Sequence, residues 1–210
     1  MEYSYVVLGA GRQGLAIAYD LGKFCDAQSI VIADLSAKAA REGADRVNKL
    51  LKRKLATGKR ADASDPAARA RLFAGADCVV SSVPYHYNLG VARAAIKARA
   101  NFCDLGGNTG VVRNELKLDA AARKAGVTLV PDTGLMPGMG NTLAAHCLNL
   151  LDTTDEIHIR CGGLPQTPRP PLNYKLVFSV EGLINEYFGV AYVVRDGKVA
   201  EIPTFSELEP

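Results

Sequence analysis

Gly9-Ala10-Gly11-Arg12-Gln13-Gly14 is a GxGxxG run. It sits directly after an apolar, strand-like stretch, Tyr3–Leu8, and directly before a helical one. Glycine at the first position permits a tight turn. At the second it lets backbone approach a pyrophosphate, and at the third it allows close packing of helix on strand. Arg12 and Gln13 open that helix, whose first N–H groups and positive dipole end suit a phosphate. Asp34 closes the next strand-like run, 20 residues after Gly14, where an acid is expected to bond the ribose hydroxyls. A carboxylate there repels a 2′-phosphate, so NAD is expected rather than NADP, although Lys38 stands nearby. Ser82, Val83 and Pro84 form the tip of a later run and are expected to pass near the nicotinamide ribose, unless they are a plain strand-to-loop turn.

Three further clusters follow apolar runs: Tyr85-His86-Tyr87-Asn88, then Asp104 to Thr109, then Asp132-Thr133-Gly134. In a doubly wound sheet the carboxyl ends of neighbouring strands form one crevice. The clusters are therefore expected to converge where a substrate meets the nicotinamide. A carboxylate at Asp104 or Asp132 can hold an ammonium group and take its proton, and an amine must be neutral before it can lose hydride. Asp104 could equally cap the following turn. Tyr85 either offers its hydroxyl to the reacting nitrogen or packs. His86 is of the residue type that titrates near neutral pH and is either a base or simply exposed. His146, in an apolar helical stretch, reads as packed or satisfied; His158, between isoleucines, reads as solvent-facing. Lys175 could neutralise a substrate carboxylate, or be an exposed strand lysine. No nucleophile triad and no metal-ligand spacing is present, so no metal is expected.

The elements that must position these groups alternate. Strands are expected at Tyr3–Leu8, Ser29–Ala33, Cys78–Val83, Asn101–Leu105 and Val127–Val130. Their near-continuous apolar character is that of strands covered on both faces. Helices are expected at 11–21, 36–55, 88–98 and 114–124, the last ending at Gly126. A strand near 58–63 is required by topology, and Ser64-Asp65-Pro66 reads as the cap of a short helix. The pattern predicts an α/β fold, a doubly wound parallel-sheet domain of the Rossmann type. After Pro131 the texture becomes rich in glycine and proline. There a helix is expected at 141–151 and strands at 156–161 and 174–180. A hairpin is expected from 189–195 and 198–203, turned by Asp196-Gly197. The expected domains are 1–135 and 136–210.

Composition excludes much. The 210 residues are 48% hydrophobic and 22% charged, which argues against disorder and fibres. The net charge of +3 and the lack of any reading motif argue against nucleic acid. No apolar run reaches the ~18 residues that span a bilayer. No basic segment precedes the first strand, so no secretory signal is expected and the expected compartment is the cytoplasm. The five widely spaced cysteines form no CxxC pair, against zinc ribbons and thioredoxin motifs. Residues 132–210 carry an acidic excess, with only five Lys and Arg.

The segments GAGRQG, SSVPYHYN, ANFCDLGGNTG and PDTGLMPGMGN together resemble the saccharopine dehydrogenase family. The stretch CGGLPQTPRPPLNYKLVFSVEGLINEY is most similar to its lysine 6-dehydrogenase branch. The resemblance implies an NAD-binding domain followed by an α/β (α+β) substrate domain whose sheet helps form a homodimer or higher homo-oligomer. It implies a small amino-acid substrate: hydride leaves the lysine Cε, water adds to the imine, ammonia departs and the semialdehyde cyclises to a piperideine carboxylate. Gly9, Gly11 and Gly14 would hold the pyrophosphate and Asp34 the adenosine ribose, while Tyr85, Asn88, Asp104 and Asn108 would line the substrate side. Two alternatives stand beside it: a saccharopine dehydrogenase, or a non-catalytic NAD-binding dimerisation module. Family members are usually longer, so the substrate domain is expected to be only partial here.

Overall fold

The computed structural model describes residues 2–171, 173–176 and 180–207. It divides into two compact units, Met1–Ile159 and Arg160–Pro210.

The first unit is a six-stranded parallel sheet: β1 (Tyr3–Leu8), β2 (Ala27–Asp34), β3 (Ala56–Arg60), β4 (Cys78–Ser81), β5 (Asn101–Asp104) and β6 (Leu129–Val130). Their order is β3-β2-β1-β4-β5-β6, so the order in which strands are added to the sheet reverses between β1 and β4, where a doubly wound sheet opens its ligand crevice. Strand side chains alternate between faces, and both faces are buried. Val7, Ile30 and Ile32 pack under α1 (Arg12–Phe24) and α2 (Ala37–Leu51) with Ala18, Ala44 and Val47. On the other face Val6, Leu8, Val79 and Phe102 meet Phe73 of α3 (Pro66–Phe73) and Val91, Ala92 and Ala95 of α4 (Asn88–Ala98). Burying one such large side chain contributes about 1.5–3 kcal/mol. Small residues on α1, α2 and α4 let those helices lie close to the sheet.

Up to residue 151 the expected strands and helices are present, Tyr3–Leu8 and Asn88–Ala98 with the expected bounds and the others shifted. Asp65 accepts from Ala67 N at 2.8 Å and caps α3, with Pro66 following. The third strand spans Ala56–Arg60. The helix expected at 114–124 is two helices, α5 (Thr109–Leu116) and α6 (Asp119–Ala125), the first capped by Asn108 and the second ended by Gly126 at φ 71. After β6 comes α7 (Met139–Leu148). His146 on it is exposed, against the expected packed or satisfied setting.

The second unit holds α8 (Val180–Tyr187) and a hairpin of β7 (Val190–Arg195) and β8 (Lys198–Pro203). Asp196 at φ 49 and Gly197 at φ 73 make its turn, the positive pair that a tight hairpin turn demands. The strand expected at 156–161 does not form. Ile157 and Ile159 alternate, but no strand among the described residues pairs with them, and an unpaired strand has no ladder to hold it. In the strand expected at 174–180, residues 174–176 are irregular and Val180 begins α8. Residues 177–179 lie outside the described residues.

Candidate functional site

The glycine run joins the tip of β1 to α1. Gly9 stands at φ +96, and a Cβ on it would lie 2.8 Å from Ser82 Oγ and 2.9 Å from Ser82 O. A Cβ on Gly14 would overlap the Gly9 carbonyl oxygen outright. Turn and helix are thus in backbone contact, as glycine alone allows. Ser82 closes the third side: its backbone N donates to Leu8 O at 2.8 Å and its Oγ to the same oxygen at 2.6 Å. Gly11 differs. It is the α1 N-cap in ordinary extended backbone, with no side chain capping the helix and nothing within 4 Å of a Cβ placed on it. Arg12 and Gln13 follow it into the first turn. Backbone N–H groups there can meet an anion closely.

Asp34 faces this turn from the tip of β2. Its Oδ2 accepts from Ala10 N at 2.9 Å and its Oδ1 from Ser36 N at 2.8 Å. Each carboxylate oxygen keeps a further lone pair for a ribose hydroxyl. Arg60, in register with Asp34 on β3, donates its Nε to Leu35 O at 3.3 Å. The cradle and the carboxylate across from it fit a nicotinamide dinucleotide.

The tips of β4, β5 and β6 supply the rest. Asp104 is wholly buried. Its Oδ1 accepts from Gly106 N at 2.6 Å and from Asp132 N at 3.2 Å. Its carbonyl accepts from Thr133 N at 2.8 Å and Thr133 Oγ1 at 2.7 Å. The Asp132 carboxyl lies against Gly106, where a Cβ would have no room, and Asp132 itself stands at φ 63. The Tyr85 ring lies 3.3 Å from where a Cβ of Gly107 would be. Tyr85, Asp104 and Asp132 are therefore neighbours through two glycines. Burial pushes the Asp104 carboxyl up, against its two backbone N–H bonds. Burial and then the charge of Asp104 push Asp132 up.

Other expected site residues sit differently. Val83 is half-buried and Pro84 exposed at the tip of β4. Asn88 is 2% exposed, and its Oδ1 accepts from Ser81 Oγ at 2.8 Å, bracing that tip from the start of α4. Asn108 spends its Oδ1 on Val111 N at 3.1 Å, as the α5 cap. His86 is exposed, its ring 4.1 Å from that of Tyr87. Lys175 is exposed in the second unit. Sequence reasoning passed over Glu115 of α5, which is 2% exposed and touches Asp104. It also passed over Arg60. The signal for Glu115 was helical spacing: Val111 and Val112, four and three residues before it on α5, place it on their face.

Residues 5–130 match a family model described as "Saccharopine dehydrogenase NADP binding domain", and residues 134–210 one described as "Saccharopine dehydrogenase C-terminal domain". The chain is 29% identical over 153 residues to the saccharopine dehydrogenase (NADP(+), L-glutamate-forming) of Pyricularia oryzae, covering 67% of this chain and 32% of that protein. It is 30% identical over 132 residues to the mitochondrial alpha-aminoadipic semialdehyde synthase of Mus musculus, covering 60% of this chain and 14% of that protein. The apo saccharopine dehydrogenase (L-Glu forming) of Saccharomyces cerevisiae shares the fold, with a TM-score of 0.63 and 22% identity over 96% of this chain and 44% of that one. The chain spans about a third of the fungal relative's length, 32%.

Proposed function

This chain belongs to the saccharopine dehydrogenase family, and on that premise we propose that it oxidises the ε-amino carbon of L-lysine with NAD. One observation carries the reading: a dinucleotide cradle meets a tyrosine and a cluster of carboxyl groups at the tips of adjacent strands. The nicotinamide, when bound, supplies the acceptor for a hydride from the substrate carbon. Gly9, Gly11 and Gly14 hold the diphosphate, Asp34 the adenosine ribose, and Ser82 to Pro84 border the nicotinamide ribose. Asp132 holds the ammonium and takes its proton, leaving the neutral amine that can release hydride. Burial and the neighbouring charge of Asp104 raise its proton affinity, the direction a proton acceptor needs. Asp104, anchored by backbone N–H groups, fixes Asp132 and the loop beside it. Tyr85, braced on Gly107, borders the amine; Asn88 and Asn108 shape the same side. Water then adds to the imine, ammonia leaves and the semialdehyde cyclises.

The acid-lined tip favours an ammonium over a dicarboxylate adduct, as does the low Lys and Arg content of residues 132–210. NAD is favoured by the Asp34 carboxylate. Saccharopine with NADP is the second reading, favoured by the names of the relatives and of the matching model; Arg60 beside Asp34 is the cation that would serve a 2′-phosphate. The dinucleotide and substrate portions are assigned to residues 1–135 and 136–210, the chain works as a homodimer or higher homo-oligomer, and the compartment is the cytoplasm. No helix among the described residues is long and apolar enough to cross a membrane.

The deciding experiment follows the NADH or NADPH absorbance band with each dinucleotide, against L-lysine and against saccharopine. Reduction of NAD with lysine alone supports the first reading. Turnover of saccharopine with NADP supports the second and refutes the first. Dinucleotide binding with no turnover of either amine identifies a binding module instead.

A further inference from the structure

Glu115, near the end of α5, is 2% exposed, yet neither of its carboxyl oxygens has a hydrogen-bond donor. The Asp104 Oδ2 likewise has none, its Oδ1 being occupied by Gly106 and Asp132. The two carboxyl groups lie within hydrogen-bonding reach of each other. Two bare carboxylates in contact and away from water would repel, with neither satisfied. One proton removes both faults. A neutral acid on Glu115 donates to Asp104 Oδ2, while Asp104 stays an anion served by two backbone N–H groups.

We propose that Glu115 is a positioning residue that shares one proton with Asp104, and thereby ties the loop after β5 to the loop after β6. The tie stands on this geometry alone; its service to catalysis rests on the function proposed above. Asp104 is the knot. Its side chain holds Gly106 and Asp132, and its carbonyl holds Thr133. A donor on Oδ2 fixes the carboxyl plane, and with it the direction in which Oδ1 meets those N–H groups.

The charged groups around Glu115 agree on where the proton resides. Asp104 comes from β5 and Asp132 from the loop after β6. Asp119 and Arg123 of α6 line the same hollow and are paired with each other at 2.8 Å. Burial, then the charge of Asp104, its hydrogen bond and the charge of Asp132 push Glu115 up to about 8. The N–H bonds on Asp104 favour its anion. At neutral pH the proton is therefore on Glu115.

The test uses the full chain without substrate or dinucleotide. Carboxyl ¹³C NMR should show Glu115 titrating near pH 8, and Glu115→Gln should abolish that step. Amide exchange should report the tie. In Glu115→Gln the protection of Gly106, Asp132 and Thr133 should stay near wild type, because the amide still donates. In Glu115→Leu it should fall by about tenfold or more as those bonds loosen, with Val7 and Ile32 unchanged. Titration of Glu115 in the ordinary carboxylate range overturns the proposal. So does equal loss of protection in both variants. Should Glu115→Leu fail to fold, the titration and the Gln variant still decide. Where lysine turnover is found, Glu115→Leu should lower kcat by about tenfold with little change in KM for NAD, and Glu115→Gln should restore it. A chain that turns over nothing would refute the proposed function and leave the shared proton to be judged by NMR alone.

Discussion

Gly14→Ala and Gly11→Ala should separate folding from dinucleotide binding. At Gly14 the new methyl would overlap Gly9 O and stand 2.7 Å from Ser82 Oγ. Neither neighbour can swing aside: one is backbone, and Ser82 Oγ is held 2.6 Å from Leu8 O. Relief requires α1 to move off the strand tips. Overpacking costs ~1–3 kcal/mol, and a collision of backbone with backbone belongs at the upper end, so about 3 kcal/mol is expected. At Gly11 the backbone is ordinary, φ −76 and ψ −172, and no atom lies within 4 Å of the added methyl. Only N-cap preference is lost, ~1 kcal/mol or less. The methyl would, however, stand in the approach to the pyrophosphate, so NADH affinity should fall at least tenfold, about 1.4 kcal/mol. Urea unfolding by circular dichroism and NADH fluorescence titration on the same samples give both numbers. An unchanged midpoint for Gly14→Ala, or wild-type NADH affinity for Gly11→Ala, would refute the geometry assigned to this turn.

Further outcomes are expected elsewhere. Asp34→Ala leaves the Ala10 and Ser36 N–H groups without their acceptor and should weaken NAD by about 1–3 kcal/mol; competition titration should show NADP weakened less. Glu115 binds its proton more tightly folded than unfolded, about 8 against an ordinary 4.5. The stability it contributes is thus complete below pH 4.5 and is lost as pH rises towards 8. The loss is about 1.4 kcal/mol per pH unit, or about 3 kcal/mol by pH 7; urea melts across that range should show it, and Glu115→Gln should remove it. Asn108→Ala deletes the α5 cap on Val111 N and should cost about 1 kcal/mol in the same melts.

The sheet was legible because its strands are apolar on both faces. Val6 and Val7, or Val79 and Val80, can be adjacent and both buried only between two helical layers. The β3 bounds were harder to read: Ala56 is its one buried residue, and Gly58 to Arg60 are half-buried or exposed. The start of α5 was hidden because Asn108 and Thr109 read as a ligand loop, whereas Asn108 caps a helix. Tyr85, Asp104 and Asp132 could be named from their places after strands. Their contacts could not, because those run through Gly106 and Gly107 and depend on loop conformation. Glu115 was missed for a different reason. An acid on a polar helix ordinarily faces water, and only its buried partner makes it neutral. Beyond residue 150 the alternation of Ile157 and Ile159 had no pairing partner among the described residues, so a pattern typical of strands produced none.

The left-handed backbone at Asp132 has a consequence for anyone probing the cleft by mutagenesis. Few side chains tolerate φ 63, and those that do are mainly glycine, asparagine and aspartate itself. Most replacements would change the path of the chain as well as its chemistry, so a broad scan at this position would report two losses as one. Asparagine preserves both shape and torsion while deleting the charge. It is the single exchange whose kinetics would speak for the carboxylate alone.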